Sequence, residues 1–155
     1  MADQNLKIAI GSDHRGYQLK EEIKEFLKGN GFEPIDLGPE SDASCDYPDF
    51  AIPVGEMVRD GRARFGILIC HTGIGMTFTA AKVKGVRPAL CRSPDDAHMA
   101  RAHNDANVLV LAARDQDLKS FKEVWQVWSD TDFEGGRHQR RVDKIKDYED
   151  RTLSC

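Results

Sequence analysis

The stretch FGILICHTGIGM, residues Phe65–Met76, decides the fold of this chain. Its first half is almost entirely apolar, which is typical of a strand buried on both faces in a parallel sheet. The strand ends at Cys70, glycines follow at positions 73 and 75, and the next residues have a helical pattern. In an open α/β sheet, ligands bind at the carboxyl ends of the strands. We therefore expect a functional loop directly after Cys70.

Strands and helices alternate along the rest of the chain. Apolar runs predict four further strands, at residues 6–11, 32–38, 86–91 and 107–112. Residues between these runs have helical spacing, for example at 17–28 and 118–128. Five strands with intervening helices predict an α/β fold with a five-stranded parallel sheet and helices on both faces.

Composition limits the class of protein. A chain of 155 residues predicts one domain, residues 1–155, and its 40% hydrophobic and 31% charged content is that of a soluble globular protein. The net charge of -4 does not favour binding to nucleic acid. The sequence contains no apolar run of membrane-spanning length and no secretory signal pattern. We therefore expect a cytoplasmic protein that binds neither nucleic acid nor a membrane.

The C-terminal segment differs from the rest of the chain. From about residue 133 to residue 155 the sequence is strongly polar, although it has the pattern of a helix. Such a segment can bury little against its own subunit, so we expect a helical arm that crosses to a partner subunit. The alternative is a frayed tail.

The thiol of Cys70 is the first candidate catalytic group. It is expected beside open backbone N–H groups at the start of a helix, which favours its thiolate. A thiolate can remove a proton from carbon or attack an electrophile, and the amides from His71 to Gly75 could hold a developing oxyanion. A cysteine phosphatase would need arginine six residues after the cysteine, where this chain has Met76. The alternative interpretation is an inert buried cysteine.

Two pairs of polar residues flank other strands. Asp13 and His14 follow the first strand, and they share an edge with Cys70 if the two strands are neighbours. The alternative is that Ser12 or Asp13 only caps the next helix. His103 and Asn104 precede the last strand, and they suit proton transfer and hydrogen bonding to the oxygens of a sugar.

Arg137 and Arg141 complete the set of candidate residues. They are four apart on one face of the last predicted helix, where two guanidinium groups can bind a phosphate. The alternative is a solvated basic face. The sequence shows no cluster with the spacing of metal ligands. A thiol base, an oxyanion nest, an imidazole and a phosphate site together favour proton transfer between adjacent carbons of a phosphorylated sugar, through an enediolate.

Nearly the whole chain resembles the type B ribose-5-phosphate isomerases, which are related to the subunits of galactose-6-phosphate isomerase. The segments that carry the resemblance, in this order, are GSDHRGYQLK, DYPDFA, GILICHTGIGM, AAKVKGVRPAL, RAHNDANVLVL and FEGGRHQRRV. The resemblance implies a Rossmann-like α/β/α sandwich that acts without a cofactor or a metal. It also implies homodimers or homotetramers with the active site at the subunit interface.

The resemblance also implies roles for individual residues. Cys70 would be the base that moves a proton between C1 and C2, and His103 would assist ring opening with support from Asp13 and Thr72. The implied substrate-binding residues are His14, Tyr47, His71, Gly73, Ile74, Gly75, Asn104, Arg137 and Arg141, with Arg114 contributed by the partner subunit.

Two positions depart from the family motif. The usual motif has glycine after the cysteine and a small residue after the last glycine, whereas this chain has His71 and Met76. Both changes are compatible with isomerase chemistry, but they leave the substrate open. Ribose 5-phosphate is the first candidate. The alternatives are a four-carbon or six-carbon sugar phosphate, or a protein that binds a sugar phosphate without catalysis.

Overall fold

The computed structural model describes residues 6–153, and the strand containing Cys70 is at the centre of its sheet. Within this range the sheet has five parallel strands: β1 (Lys7–Ser12), β2 (Glu33–Asp36), β3 (Phe65–Cys70), β4 (Pro88–Leu90) and β5 (Val108–Ala112). They lie in the order β2-β1-β3-β5-β4. All six residues of β3 are buried, as expected for an apolar strand with a neighbour on each side and helices on both faces.

Helices cover both faces of this sheet. The described residues form six of them: α1 (Tyr17–Gly29), α2 (Pro48–Arg59), α3 (Ile74–Ala80), α4 (Pro94–Asn104), α5 (Leu118–Asp130) and α6 (Arg137–Thr152). One core layer joins the sheet to α1, α4 and α5, and the other joins it to α2 and α3. The predicted three-layer α/β/α sandwich is therefore confirmed. None of the six helices is long and apolar enough to cross a lipid bilayer.

The predicted boundaries are least accurate at the two edge strands. The fourth strand was predicted over residues 86–91, but β4 covers only Pro88–Leu90. Proline lacks a backbone N–H, so it is tolerated at the first residue of an edge strand, which is the place of Pro88. The second strand is similarly shorter than the predicted residues 32–38. An edge strand has a single neighbour, and fewer hydrogen bonds extend it.

The C-terminal helix is anchored to its own subunit, which was not expected from its polar sequence. α6 packs on α4 and buries three side chains, those of His138, Val142 and Glu149. The Glu149 carboxylate accepts the backbone N–H of Gly85 at 3.1 Å. Most other residues of α6 are exposed, so the segment as a whole buries few side chains. That the arm crosses to a partner stays a prediction, and its last two residues, 154 and 155, lie outside the described range.

Candidate active site

The loops that follow β1 and β3 meet at the carboxyl edge of the sheet. β1 and β3 are neighbours, so Asp13 and Cys70 leave the sheet side by side as predicted. The backbone N–H of Asp13 donates to the Ile69 carbonyl at 3.1 Å. Gly16 allows this approach, since a Cβ at this position would lie only 2.6 Å from the same carbonyl oxygen. From β1 the chain continues to β2 at one edge of the sheet, and from β3 it continues to β4 at the other edge. This reversal of strand order between β1 and β3 opens a ligand-binding crevice.

Asp13 uses its carboxylate to hold the loop in front of α1. Its Oδ1 accepts the backbone N–H groups of Arg15 and Gly16 at 2.9 and 3.0 Å, and the residue is buried. These two N–H groups precede α1, whose N-cap residue is Gly16 and has no side-chain cap hydrogen bond, so Asp13 orders the loop and does not cap the helix. The next residue, His14, accepts the N–H of Cys45 at Nδ1. A neutral imidazole bonded in this way carries its proton on Nε2, which makes Nε2 a donor for an anion.

Cys70 is held by the loop that it begins. The backbone N–H of Gly73 donates to Cys70 Sγ at 3.2 Å, and Gly73 has φ +75°, the left-handed conformation that glycine adopts without strain. A donor directed at sulfur stabilises negative charge there. Burial raises the pKa of the Cys91 thiol to about 12, with a further contribution from the charge of Asp96. Cys91 is therefore a protonated core residue at neutral pH.

Some backbone N–H groups of the 71–75 loop donate hydrogen bonds to side chains of the same loop. The N–H of Ile74 donates to Thr72 Oγ1 at 3.3 Å. The N–H groups of Gly73 and Ile74 thus already have partners in the loop, so the predicted oxyanion nest is not open at every amide. The ring of Tyr47 covers Gly75, where a Cβ would lie 2.7 Å from it. Arg114 reaches the same edge because its N–H donates to the His71 carbonyl at 3.0 Å.

The two departures from the family motif lie in different environments. His71 is exposed at the end of β3, beside the candidate catalytic loop. Met76 is fully buried among apolar residues of the α2 and α3 layer. The extra bulk of Met76 is therefore part of the core, and His71 is the departure that lies at the surface of the site.

His103 lies at the opposite edge of the sheet from Cys70. It belongs to the last turn of α4, two residues after Arg101, whose guanidinium stacks 4.9 Å from the Phe65 ring. Phe65 begins β3 and Cys70 ends it, so the two edges are roughly 16 Å apart along the strand. The described chain therefore does not bring the thiol and the imidazole together within one subunit.

The residues predicted to bind phosphate are likewise divided between the carboxyl ends and the amino ends of the strands. Arg137 and Arg141 begin α6 as exposed residues, and they flank His138, whose ring stacks on that of His103 with centroids 4.2 Å apart. Asn104 is next to His103 at the end of α4. The carboxyl edge carries the other candidates: Asp13, His14, Tyr47, Cys70, His71, Thr72, Gly73, Ile74, Gly75 and Arg114.

The sequence did not reveal two polar residues beside His103. Glu134 and His138 are 31 and 35 residues further along the chain, yet their side chains converge on the His103 ring. The three form a group whose potential ligand atoms all lie within 4.8 Å of one another, which the spacing in the sequence did not show. That the enzyme acts without a metal stays a prediction. Glu134 lies outside α6 and is followed by two glycines with positive φ, so helical spacing gave no signal for its approach to His138.

The surroundings of His138 favour the uncharged form of its imidazole. Burial lowers the pKa of this imidazole, and the positive charges of His103, Arg137 and Arg141 lower it further. The Glu134 carboxylate raises the pKa, but it does not offset the other effects. A neutral imidazole at this place can accept a hydrogen bond or ligate a cation.

Comparison with known proteins identifies the family. The model of the ribose/galactose isomerase family matches residues 8–145. The chain is 43% identical to ribose-5-phosphate isomerase B of Escherichia coli (strain K12) over 145 residues, which cover 94% of this chain and 97% of that protein. The solved structure of ribose-5-phosphate isomerase B from Clostridium thermocellum has a TM-score of 0.91 at 47% identity, with 94% and 98% of the two chains covered.

A ligand-bound structure is among the similar ones. Ribose-5-phosphate isomerase B from Mycoplasma genitalium, solved with bound ribulose 5-phosphate, has a TM-score of 0.89 at 47% identity. The comparison covers 94% of this chain and 97% of that one. The resemblance seen in the sequence thus extends to the fold and to nearly the full length of both proteins. This chain belongs to the ribose/galactose isomerase family.

Proposed function

We propose that this protein interconverts ribose 5-phosphate and ribulose 5-phosphate, with Cys70 as the catalytic base. Its family makes it a sugar-phosphate isomerase, an enzyme rather than a non-catalytic binding protein. The choice of pentose is supported by relatives named ribose-5-phosphate isomerase B, one of which was solved with ribulose 5-phosphate bound.

The observation that carries the proposal is the setting of Cys70. The sulfur lies at the carboxyl end of the central strand, it accepts the N–H of Gly73, and the Asp13–His14 loop lies against the same strand end. A buried thiol without function needs neither a backbone donor aimed at it nor a place at the ligand-binding edge. Cys91 is the contrasting case in this chain, since burial keeps it protonated.

The chemistry follows from these groups. The Cys70 thiolate removes the proton from C2 of the open-chain aldose, and the electron pair of that bond forms the C1=C2 double bond of an enediolate. Negative charge then develops on the oxygen at C1, where loop amides can stabilise it. The thiol returns the proton to C1, and the proton of the C2 hydroxyl passes to the oxygen at C1, which leaves the C2 carbonyl and the C1 hydroxyl of the ketose. His103 would assist the preceding ring opening.

A complete site of this kind requires two copies of the chain. Cys70 and His103 lie at opposite edges of one subunit, roughly 16 Å apart along β3. In a twofold-symmetric dimer, the carboxyl edge of one copy can face the His103 edge of the other, and the same contact then occurs twice. We therefore propose a homodimer or a larger even assembly, in which Arg137 and Arg141 bind the phosphate of a sugar whose carbons face the other copy's Cys70.

The substrate is tested with a panel of four-, five- and six-carbon aldose phosphates. We expect the highest kcat/KM with ribose 5-phosphate, because Met76 is buried in the core and does not narrow the site. His71 is exposed beside Cys70, and this observation favours another sugar phosphate as the second candidate. A four- or six-carbon substrate with a higher kcat/KM would replace ribose 5-phosphate in the proposal.

The base is tested by Cys70→Ala, with Cys91→Ala as the matched control. Loss of a general base typically lowers kcat by about 10²–10⁴-fold, while phosphate binding should persist because the arginines are unchanged. Cys91→Ala should leave kcat unchanged, since that thiol lies in the core. Turnover by Cys70→Ala close to that of the wild type would remove Cys70 from the role of base.

A further inference from the structure

Three potential metal ligands converge where α6 begins. The Nε2 atoms of His103 and His138 lie 3.8 and 3.5 Å from one carboxylate oxygen, Oε2 of Glu134. Both distances exceed the usual N–H···O hydrogen-bond length of about 2.7–3.2 Å. The three groups therefore face one another without satisfying one another directly.

The spacing suits a shared metal ion. Zn²⁺ binds imidazole nitrogen and carboxylate oxygen at about 2.0–2.2 Å, so that ligand atoms in a tetrahedral site are about 3.3 Å apart. We propose that His103, Glu134 and His138 form a binding site for a divalent transition-metal ion, for which Zn²⁺ is best suited. Two imidazoles and one carboxylate leave the fourth position of the metal open to water.

Two of the three ligands are held in place by the backbone. The N–H of Glu134 donates to the Ala102 carbonyl at 3.0 Å, which fixes this segment to the end of α4. Gly135 and Gly136 both have positive φ, and they turn the chain into α6 so that His138 lies back beside Glu134. The side chain of His138 is only 8% exposed, so its position is determined by packing.

His103 is the ligand that has to move. Its ring is stacked on His138 with an angle of 9° between the planes, so the two Nε2 lone pairs lie in nearly parallel planes about 4 Å apart. A tetrahedral ion needs these lone pairs to converge. The His103 side chain is 26% exposed at the last turn of α4, which leaves room for a ring rotation. Metal binding should therefore end the stacking of the two rings.

The charges around the three proposed ligands indicate that the metal ion binds weakly and reversibly. Glu134 supplies one negative charge, whereas Arg137 and Arg141 lie close enough to act electrostatically on His138. Two cationic side chains oppose the entry of a third cation, so we expect weaker binding than at a closed structural zinc site. A bound metal would occupy His103 Nε2 and remove that imidazole from the sugar. This inhibitory consequence rests on the proposed role of His103, whereas metal binding itself does not.

Binding is tested by titrating the purified enzyme with Co²⁺, which reports coordination by its visible absorption. We expect one Co²⁺ per chain with the spectrum of nitrogen and oxygen ligands. Glu134→Gln and His138→Gln should each lower the affinity at least about tenfold, since even outer-sphere substitutions at metal sites cost that much. The matched control is His98→Gln, an exposed histidine of α4, which should bind as the wild type does.

Two results of the titration would overturn the site. One is an affinity that neither Glu134→Gln nor His138→Gln changes. The other is a thiolate-to-cobalt charge-transfer band in the ultraviolet that accounts for all the bound metal, because the ion would then lie at a cysteine.

Inhibition is measured separately, with Zn²⁺ added to the wild type and to Glu134→Gln, each compared with its own metal-free rate. We expect half-inhibition of the variant to need at least about tenfold more Zn²⁺. Equal inhibition of both proteins would contradict the inhibitory role of this site. Loss of turnover on Cys70→Ala tests the proposed function independently, because that substitution does not touch the three ligands.

Discussion

Gly73 determines the shape of the loop that holds the Cys70 sulfur. Its N–H donates to Sγ, its φ is +75°, and a Cβ there would lie 2.5 Å from Cδ1 of Leu90. A side chain at this position would have to strain the left-handed turn and displace the donor as well. The left-handed conformation of Gly73 thus places the N–H donor against the sulfur of the proposed base.

Gly73→Ala should lower both stability and turnover. The left-handed conformation costs a non-glycine residue about 1–2 kcal/mol in the free energy of unfolding, and the displaced N–H should lower kcat at least about tenfold. Gly61→Ala is the control, because Gly61 has φ +70° and a Cβ there would meet no atom within 4 Å. Urea unfolding and steady-state kinetics measure the two effects. Unchanged turnover in Gly73→Ala would mean that the donor is dispensable.

Arg137 and Arg141 are expected to act on the phosphate alone. Hydrogen bonds to charged groups contribute about 1.5–3 kcal/mol, so either Arg→Ala change should raise KM about tenfold or more, with a smaller effect on kcat. Inorganic phosphate should also become a weaker competitive inhibitor. Arg140→Ala serves as the control, since Arg140 is an exposed residue of the same helix. Similar KM values for all three variants would place the phosphate elsewhere.

An ion pair joins helix α1 to the end of strand β2. Lys20 is fully buried, and its ammonium donates to both oxygens of Asp36 at 2.8 Å and to the Pro39 carbonyl at 2.9 Å. Burial raises the pKa of Asp36, but the hydrogen bonds from Lys20 and Lys24 outweigh it and hold the pKa below its ordinary value of 3.8. The folded state therefore favours the charged carboxylate.

Asp36→Asn should destabilise the protein in a pH-dependent way. It leaves the buried ammonium without its main partner, which typically costs about 3–5 kcal/mol. A carboxylate with a lowered folded-state pKa contributes stability above pH 3.8, and this contribution is lost as the pH falls through the folded-state pKa. The difference between wild type and variant should therefore shrink in acid. Urea unfolding from pH 7 down to pH 3 checks this, and a constant difference would contradict it.

The sequence was informative where local pattern and sheet geometry agree. The apolar run before Cys70 predicted a central strand, and the rule for parallel sheets predicted that Asp13 would lie beside Cys70. The presence of Pro88 in the sequence did not show where β4 begins. The start of β4 depends on how far this strand pairs with β5.

Contacts between distant segments could not be predicted. Lys20 belongs to an amphipathic helix, and only the position of Asp36 at the end of β2 makes its burial favourable. The approach of Glu134 and His138 to His103 depends on the two left-handed glycines that precede α6. Propensity and spacing contain no information on such tertiary contacts.

The candidate catalytic and phosphate-binding residues form two groups at opposite ends of the strands. The thiol half is at the carboxyl edge of the sheet, and the half with His103, Arg137 and Arg141 is near the ends of α4 and α6. The length of β3 separates the two groups within one copy, so they cannot form one site there. In the proposed enzyme, each active site therefore takes Cys70 from one copy and His103 from another.

Mixing two inactive variants tests this requirement most directly. Cys70→Ala and His103→Asn homodimers should each be nearly inactive, whereas co-expression produces heterodimers in which one of the two sites has both Cys70 and His103. Random pairing makes half of the dimers mixed, so the account predicts about a quarter of the wild-type activity. Activity of the mixture no higher than that of its two parents would show that both residues act within one subunit or that one of them does not act at all.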